Sequence, residues 1–207
     1  MKQIFKGRTL TQNRVINRLV YWQKLNPEKA GGNFYDEANQ FASVLSKNYN
    51  LPVLNVAGII AALSPQQAWD VNKKQAVQYL KTNKATGATG ERLRKCDKIR
   101  DAKTTDEILA ILGGEKTKNF FLNIAGDYSA VCIDRHALAC AIFPPSEICA
   151  ISDTLRKTTV KQYNFFATCY KLAAEKVGEQ PSVFQAIVWN AVREKRELRT
   201  HLEVNQF

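Results

Sequence analysis

The chain of 207 residues has little proline and glycine, six and ten residues, too little for a disordered or collagen-like polymer. Disulfide or zinc-binding cysteine patterns are also missing. The five cysteines (Cys96, Cys132, Cys140, Cys149 and Cys169) are odd in number, lie in apolar or helical contexts and include no C-x-x-C pair. Neither a disulfide framework nor a metal site is expected, and a reducing cytoplasm is the expected compartment. Long apolar runs are absent: VLNVAGIIAAL at 53–63 is too short for a bilayer and contains Asn55. The opening MKQIFKGRTL has no apolar segment of the kind a cleavable signal needs, so neither a signal nor a span of a membrane is expected. No internal repeat, low-complexity tract or long linker interrupts the chain.

Acidic residues are scarce as well. Nineteen Asp and Glu stand against thirty Lys and Arg, a net charge of +11, and the imbalance is local. Residues 1–24 carry Lys2, Lys6, Arg8, Arg14, Arg18 and Lys24 without one acid. Such a field favours polyanions, nucleic acid first and an anionic membrane surface second.

What is present is helical periodicity. Val15, Leu19 and Trp22 form one stripe, with Ile16 and Val20 beside it; Phe34, Ala38, Phe41, Ala42 and Leu45 form another. Phe166, Tyr170, Ala173, Ala174 and Val177 make a third, and Phe184, Ile187, Val188 and Ala191 a fourth, each at core-facing helical spacing. Alternation of period two is nowhere sustained, so strands should be few. Breaks are expected at 26–33, at 47–52, at Ser64-Pro65, at 83–91 and at FPPSE, 143–147. Asp70 is expected to cap the helix VNKKQAVQYL, and Thr104 with Glu107 has the pattern of a capping box. The expectation is an all-α fold of roughly nine or ten helices. At 45% apolar residues the chain can bury a core, as one domain or one domain elaborated into two lobes.

The chemistry is carried by GGEKTKNFFLNIAGDYSAVCIDRHA, 113–137. Gly113 and Gly114 turn the chain, and Lys116 opens the next helix, with Phe120, Phe121 and Ile124 facing inward. A helix start behind a glycine turn offers amide groups and a positive dipole end to an anion such as a DNA phosphate. Asp134 stands where an N-cap of IDRHALACAIF would stand, and His136 follows it; each also fits a purely structural role. An amine and a carboxylate together suit attack at a nucleoside C1′. The carboxylate stabilises an oxocarbenium-like state, and the lysine forms a Schiff base that permits β-elimination.

These segments resemble the helix-hairpin-helix DNA glycosylases, the endonuclease III-like group. GEKTKNFFLNIAG is similar to the family's hairpin exit, with Lys116, Thr117 and Asn119 on its Lys, Thr and Asn. VCIDRHA is similar to its V-D-T-H segment, with Asp134 on the catalytic aspartate and His136 on the histidine. ALSPQQAWD resembles its L-S-x-Q-x-x-D segment, whose glutamine at the DNA face is Gln67 or Gln66 here. The likeness covers residues 53–143 and implies a glycosylase-like core there, with 1–52 and 144–207 as a second lobe. It further implies a glycosylase and lyase without cofactor, with Lys116 as nucleophile and Asp134 as stabilising carboxylate. Double-stranded DNA would be held by Gly113, Gly114, Thr117, Lys118, Gln66, Gln67 and Arg135, and the base by Trp69 and His136. A monomer in a bacterial cell, or one encoded by a bacteriophage, fits this reading. The sequence departs from the family at LGGEK, which is shorter than L-P-G-V-G, and at Arg135, which replaces a small residue. The four-cysteine iron–sulfur module is absent.

Other readings stay open. Compact relatives of these glycosylases resemble phage enzymes that replace pyrophosphate on an activated 5-hydroxymethyluracil with an amine, where Arg135 would bind pyrophosphate. A non-catalytic DNA-binding module is a further alternative, salt-dependent and indifferent to sequence. Tyr35, Phe34 and Trp189 are further possible stackers, and Gln185 and Asn190 possible base readers.

Overall fold

The computed structural model describes the backbone of residues 1–150, 155 and 158–204, and the side chains of 1–147, 155 and 158–194. The fold is all-α apart from one short hairpin, with ten α-helices among the described residues. The chain divides into two compact units, Met1–Phe34 with Tyr128–Phe207, and Tyr35–Asp127. The segment 53–143 that carries the resemblance therefore runs through the second unit and into the first.

The first unit opens with strands β1 (Lys2–Phe5) and β2 (Arg8–Thr11), antiparallel and paired from Lys2↔Thr11 to Phe5↔Arg8. Lys6 and Gly7 join them with φ of 49° and 74°, the positive values a two-residue hairpin turn needs. Four residues per strand are too few for alternation to stand out, so the hairpin is invisible to periodicity. It is held by Phe5 and Leu10, both buried, with Phe5 edge-on to Phe166 at 5.4 Å between ring centroids. The Thr11 hydroxyl then accepts from the Arg14 amide and starts α1 (Gln12–Lys24), which buries Val15, Leu19 and Trp22 as its stripe predicts.

Helix α8 (Arg135–Ile142) is buried from His136 onward and forms the centre of this unit. Helix α9 (Val160–Val177) begins at a reciprocal Thr159–Gln162 capping box and ends at Gly178 in the left-handed region. Helix α10 (Pro181–Val204) starts on proline, whose missing N–H costs nothing at that position. A 3-10 helix, Pro145–Ala150, follows α8 after the expected stop at Pro144-Pro145. The Tyr163 hydroxyl ties down the buried segment before α8, donating to Val131 O at 2.8 Å and accepting from Ile133 N at 3.1 Å.

The second unit is built around α3 (Val53–Leu63), buried from Asn55 to Leu63. Around it stand α2 (Phe34–Tyr49), α4 (Trp69–Thr82), α5 (Gly90–Asp101), α6 (Thr105–Leu112) and α7 (Glu115–Ile124). Gly58 permits close approach: a Cβ there would lie 2.8 Å from Ile99 Cγ2 and 2.9 Å from Ile108 Cγ2. Asn55 donates to Ile99 O and Ala102 O at 2.7 and 2.8 Å, satisfying carbonyls at the end of α5.

Three local expectations need correction. Ala68, not Asp70, is the N-cap of α4; the turn at Ser64–Gln67 closes early enough for the helix to begin at Trp69. Asp70 instead sits in the first turn, paired with Lys73 at 2.9 Å. The Thr104 hydroxyl does accept from Glu107 N, but the Glu107 carboxylate reaches Lys103 N, one residue outside the box. On α2 the buried aromatic is Tyr35; Phe34 and Phe41 are half-buried.

Candidate functional site

In the second unit the glycine turn forms as expected. Helix α6 ends at Gly113, with φ 85° and ψ −118°, a conformation that side-chain-bearing residues avoid. Gly114 follows as the N-cap of α7 and offers no side chain to its amides. A Cβ at either glycine would meet nothing within 4 Å, so the turn is open on its outer side. Lys116 is exposed on the first turn of α7, and Thr117 and Lys118 donate their amides to Gly114 O at 3.0 and 3.2 Å. Lys118 pairs with Glu115 at 3.6 Å, and Asn119 donates to Glu115 O at 2.8 Å. Asn119 thus stabilises its own helix start. Phe121 and Ile124 face the core as expected, and Phe120 is half-buried.

The Gln66–Gln67 turn belongs to the same unit. Gln66 is exposed with φ 61°, and Gln67 N donates to Ser64 O. Trp69 is half-buried in an aromatic group, edge-on to Phe41 at 6.1 Å and to Phe120 at 6.4 Å, while Tyr35 is edge-on to Phe120 at 6.3 Å. Trp69 also carries the Lys73 ammonium over its ring at 5.7 Å. The tryptophan thereby connects the glutamine turn to the helix that bears Lys116.

The first unit holds a second constellation. Asp134 caps α8: its Oδ1 accepts from His136 N at 2.9 Å and Ala137 N at 2.8 Å. Its other oxygen accepts from the Trp189 indole at 3.1 Å. Both carboxylate oxygens are therefore oriented, one by its own helix and one by α10. The Arg135 Nε donates to His136 Nε2 at 3.3 Å, and with Nε2 as acceptor the imidazole proton sits on Nδ1. His136 is buried edge-on to Trp189 at 5.4 Å, and Arg193 lies over the same indole at 5.4 Å. Trp189 is the member of this group that its sequence context undervalues, since its neighbours on the stripe are core residues. The i, i+4 spacing of Trp189 and Arg193 is its only local signal.

Lys116, Gly113, Gly114, Thr117, Lys118, Gln66, Gln67 and Trp69 thus belong to one unit, and Asp134, Arg135 and His136 to the other. Gln185 is buried and Asn190 is engaged with Glu194 at 2.7 Å. Among the described residues no three His, Cys, Asp or Glu side chains gather as a metal-ligand set. The side chain of Cys149 lies outside the described residues. Burial pushes the Cys96 and Cys169 thiols up to about 12 and raises Cys140 as well, which removes these three as thiolate nucleophiles at neutral pH. No described helix is long and apolar enough to cross a membrane. No curated protein and no solved structure matches the chain. A family description does match, over residues 1–196: the chain belongs to DUF7178, a family of unknown function.

Proposed function

We propose that the protein is a DNA-directed enzyme of the helix-hairpin-helix glycosylase kind, acting on the N-glycosidic bond of a flipped nucleotide. The observation that carries the reading is the open α6–Gly113–Gly114–α7 turn, which presents an uncapped helix start and the exposed Lys116. Such a turn suits a backbone phosphate, and an amine on the adjacent helical turn suits attack at C1′. The oriented carboxylate of Asp134 supports the companion role. A carboxylate held by three N–H donors keeps its position without reorganising as positive charge develops on the sugar. Lys116 is assigned as the Schiff-base nucleophile and Asp134 as the stabilising carboxylate. Extrusion of the nucleotide is required because neither group reaches C1′ inside a stacked duplex.

Borohydride trapping tests this on duplexes carrying an abasic site, uracil, 5-hydroxymethyluracil or an oxidised base. A covalent protein–DNA adduct is expected for at least one duplex, absent in Lys116→Ala. Neither adduct nor base release on any duplex would reject the reading and leave base hypermodification or plain DNA binding in its place.

A further inference from the structure

The arginine-rich amino terminus builds a cavity that the glycosylase reading does not use. It has a volume of about 200 Å³ and is lined by Arg8, Thr9 and Leu10 of β2, Arg14 and Arg18 of α1, and Ile142 of α8. All of these belong to the first unit. Three guanidiniums on one small cavity repel each other, and like charges are gathered this way at a cost that an anion removes.

Each arginine is held differently. Arg18 is half-buried and donates through Nη1 to the carbonyls of Ala141 (3.0 Å) and Ile142 at the end of α8. Its Nε and Nη2 have no acceptor among the described residues, so a fixed guanidinium keeps donors in reserve. Burial, and then Arg14, lower its proton affinity; Glu147 opposes this and Arg8 adds to it. Arg8 lies over the Phe143 ring at 4.8 Å and pairs with Glu147 at 3.1 Å. Arg14 is exposed and has no ion-pair partner among the described residues. The first turn of α1 contains no acidic residue to offset it.

We infer that this cavity binds the terminal phosphate of a phosphomonoester, or inorganic phosphate itself. The cavity is lined by three guanidiniums and no carboxylate, Glu147 pairing with Arg8 alone, and this imbalance matches a dianion better than the single charge of a phosphodiester. The size agrees. At about 30 Å³ per water the cavity holds a tetrahedral oxyanion with part of its ester group. It falls short of the roughly 300–1,000 Å³ that encloses a whole small molecule. Planar guanidinium forks, one of them pre-set by α8, are the donors that phosphate oxygens accept from bidentately.

Calorimetric titration of the full chain decides the matter, with inorganic phosphate, thymidine 5′-monophosphate, and a short duplex with and without a 5′-phosphate. Saturable binding is expected for at least one phosphate dianion, and Arg14→Gln weakens it by about tenfold or more, since a charged hydrogen-bond partner is lost. Arg14→Gln is the decisive variant because the side chain is exposed and has no ion-pair partner among the described residues, whereas Arg18→Gln also removes a helix cap. Lys81→Gln, exposed in the last turn of α4 on the other unit, should leave the affinity unchanged. Tightest binding of the free ion, the nucleotide or the phosphorylated end names the source. Absence of saturable binding by every probe, or wild-type affinity in a correctly folded Arg14→Gln, overturns the inference. Neither result depends on glycosylase activity.

Discussion

Asp134 carries two duties at once, and substitutions separate them. Its Oδ1 satisfies two amides of α8 and its Oδ2 takes the Trp189 N–H. Asparagine is as good an N-cap as aspartate, so Asp134→Asn keeps the helix start and loses mainly the indole bond, about 1 kcal/mol. Alanine loses all three contacts and should cost about 1–3 kcal/mol. Urea unfolding is expected to rank the two variants in that order. Base release should vanish in both, because the amide has no charge to set against an oxocarbenium ion. Substantial activity in Asp134→Asn would make the residue a cap and nothing more. Trp189→Phe offers a milder probe: the ring still packs on His136, the hydrogen bond goes, and about 1 kcal/mol of stability goes with it.

At the scale of the element, the glycine turn makes a sharp comparison between neighbours. Gly113 has φ 85° and ψ −118°, whereas Gly114 has φ −54° and ψ 147°, which any residue can adopt. Open space surrounds both positions, so sterics with neighbours cannot distinguish them. Gly113→Ala should therefore cost about 1–3 kcal/mol in a thermal or urea melt through backbone strain alone. Gly114→Ala meets no such strain and should cost less, about 0.5–1 kcal/mol, because alanine is a poorer N-cap than glycine. Equal effects would mean that the turn relaxes to another conformation. The helix boundaries around this turn are readable in the sequence because glycine, proline and capping threonine punctuate the chain on a scale of one or two residues. The Tyr35 phase of α2 and the start of α4 are not, since helix phase and cap position are set by tertiary packing and by the preceding turn. The β-hairpin escapes because its signal is a two-residue turn, not a period. Asp134 as a cap is legible from residue type, while its bond to Trp189 joins residues 55 apart and leaves no mark in sequence.

The molecule as a whole carries +11, and that charge should govern how it meets DNA. Each phosphate neutralised releases condensed counterions, giving a log–log slope of about −0.9 per contact on B-DNA. A protein making about six to ten such contacts loses roughly 10³–10⁵ in affinity between about 50 and 200 mM salt. Binding of an undamaged duplex, followed by fluorescence anisotropy across that range, should therefore show a steep linear fall. Removing one contacting lysine should reduce the slope by about one without changing sequence preference. Lys118→Ala is suited to this, since it lies on the first turn of α7 beside the glycine turn, where its ammonium pairs with Glu115 at a loose 3.6 Å. Its loss from the slope would locate a phosphate at the turn. The six basic residues of 1–24 provide a contrast within the same chain. If Arg14→Gln lowers the slope and Lys118→Ala does not, the amino-terminal unit is the DNA-gripping surface and the glycine turn is a structural corner. A flat salt profile for the wild type would remove DNA from consideration, because a chain this basic cannot bind a polyanion without displacing its counterions.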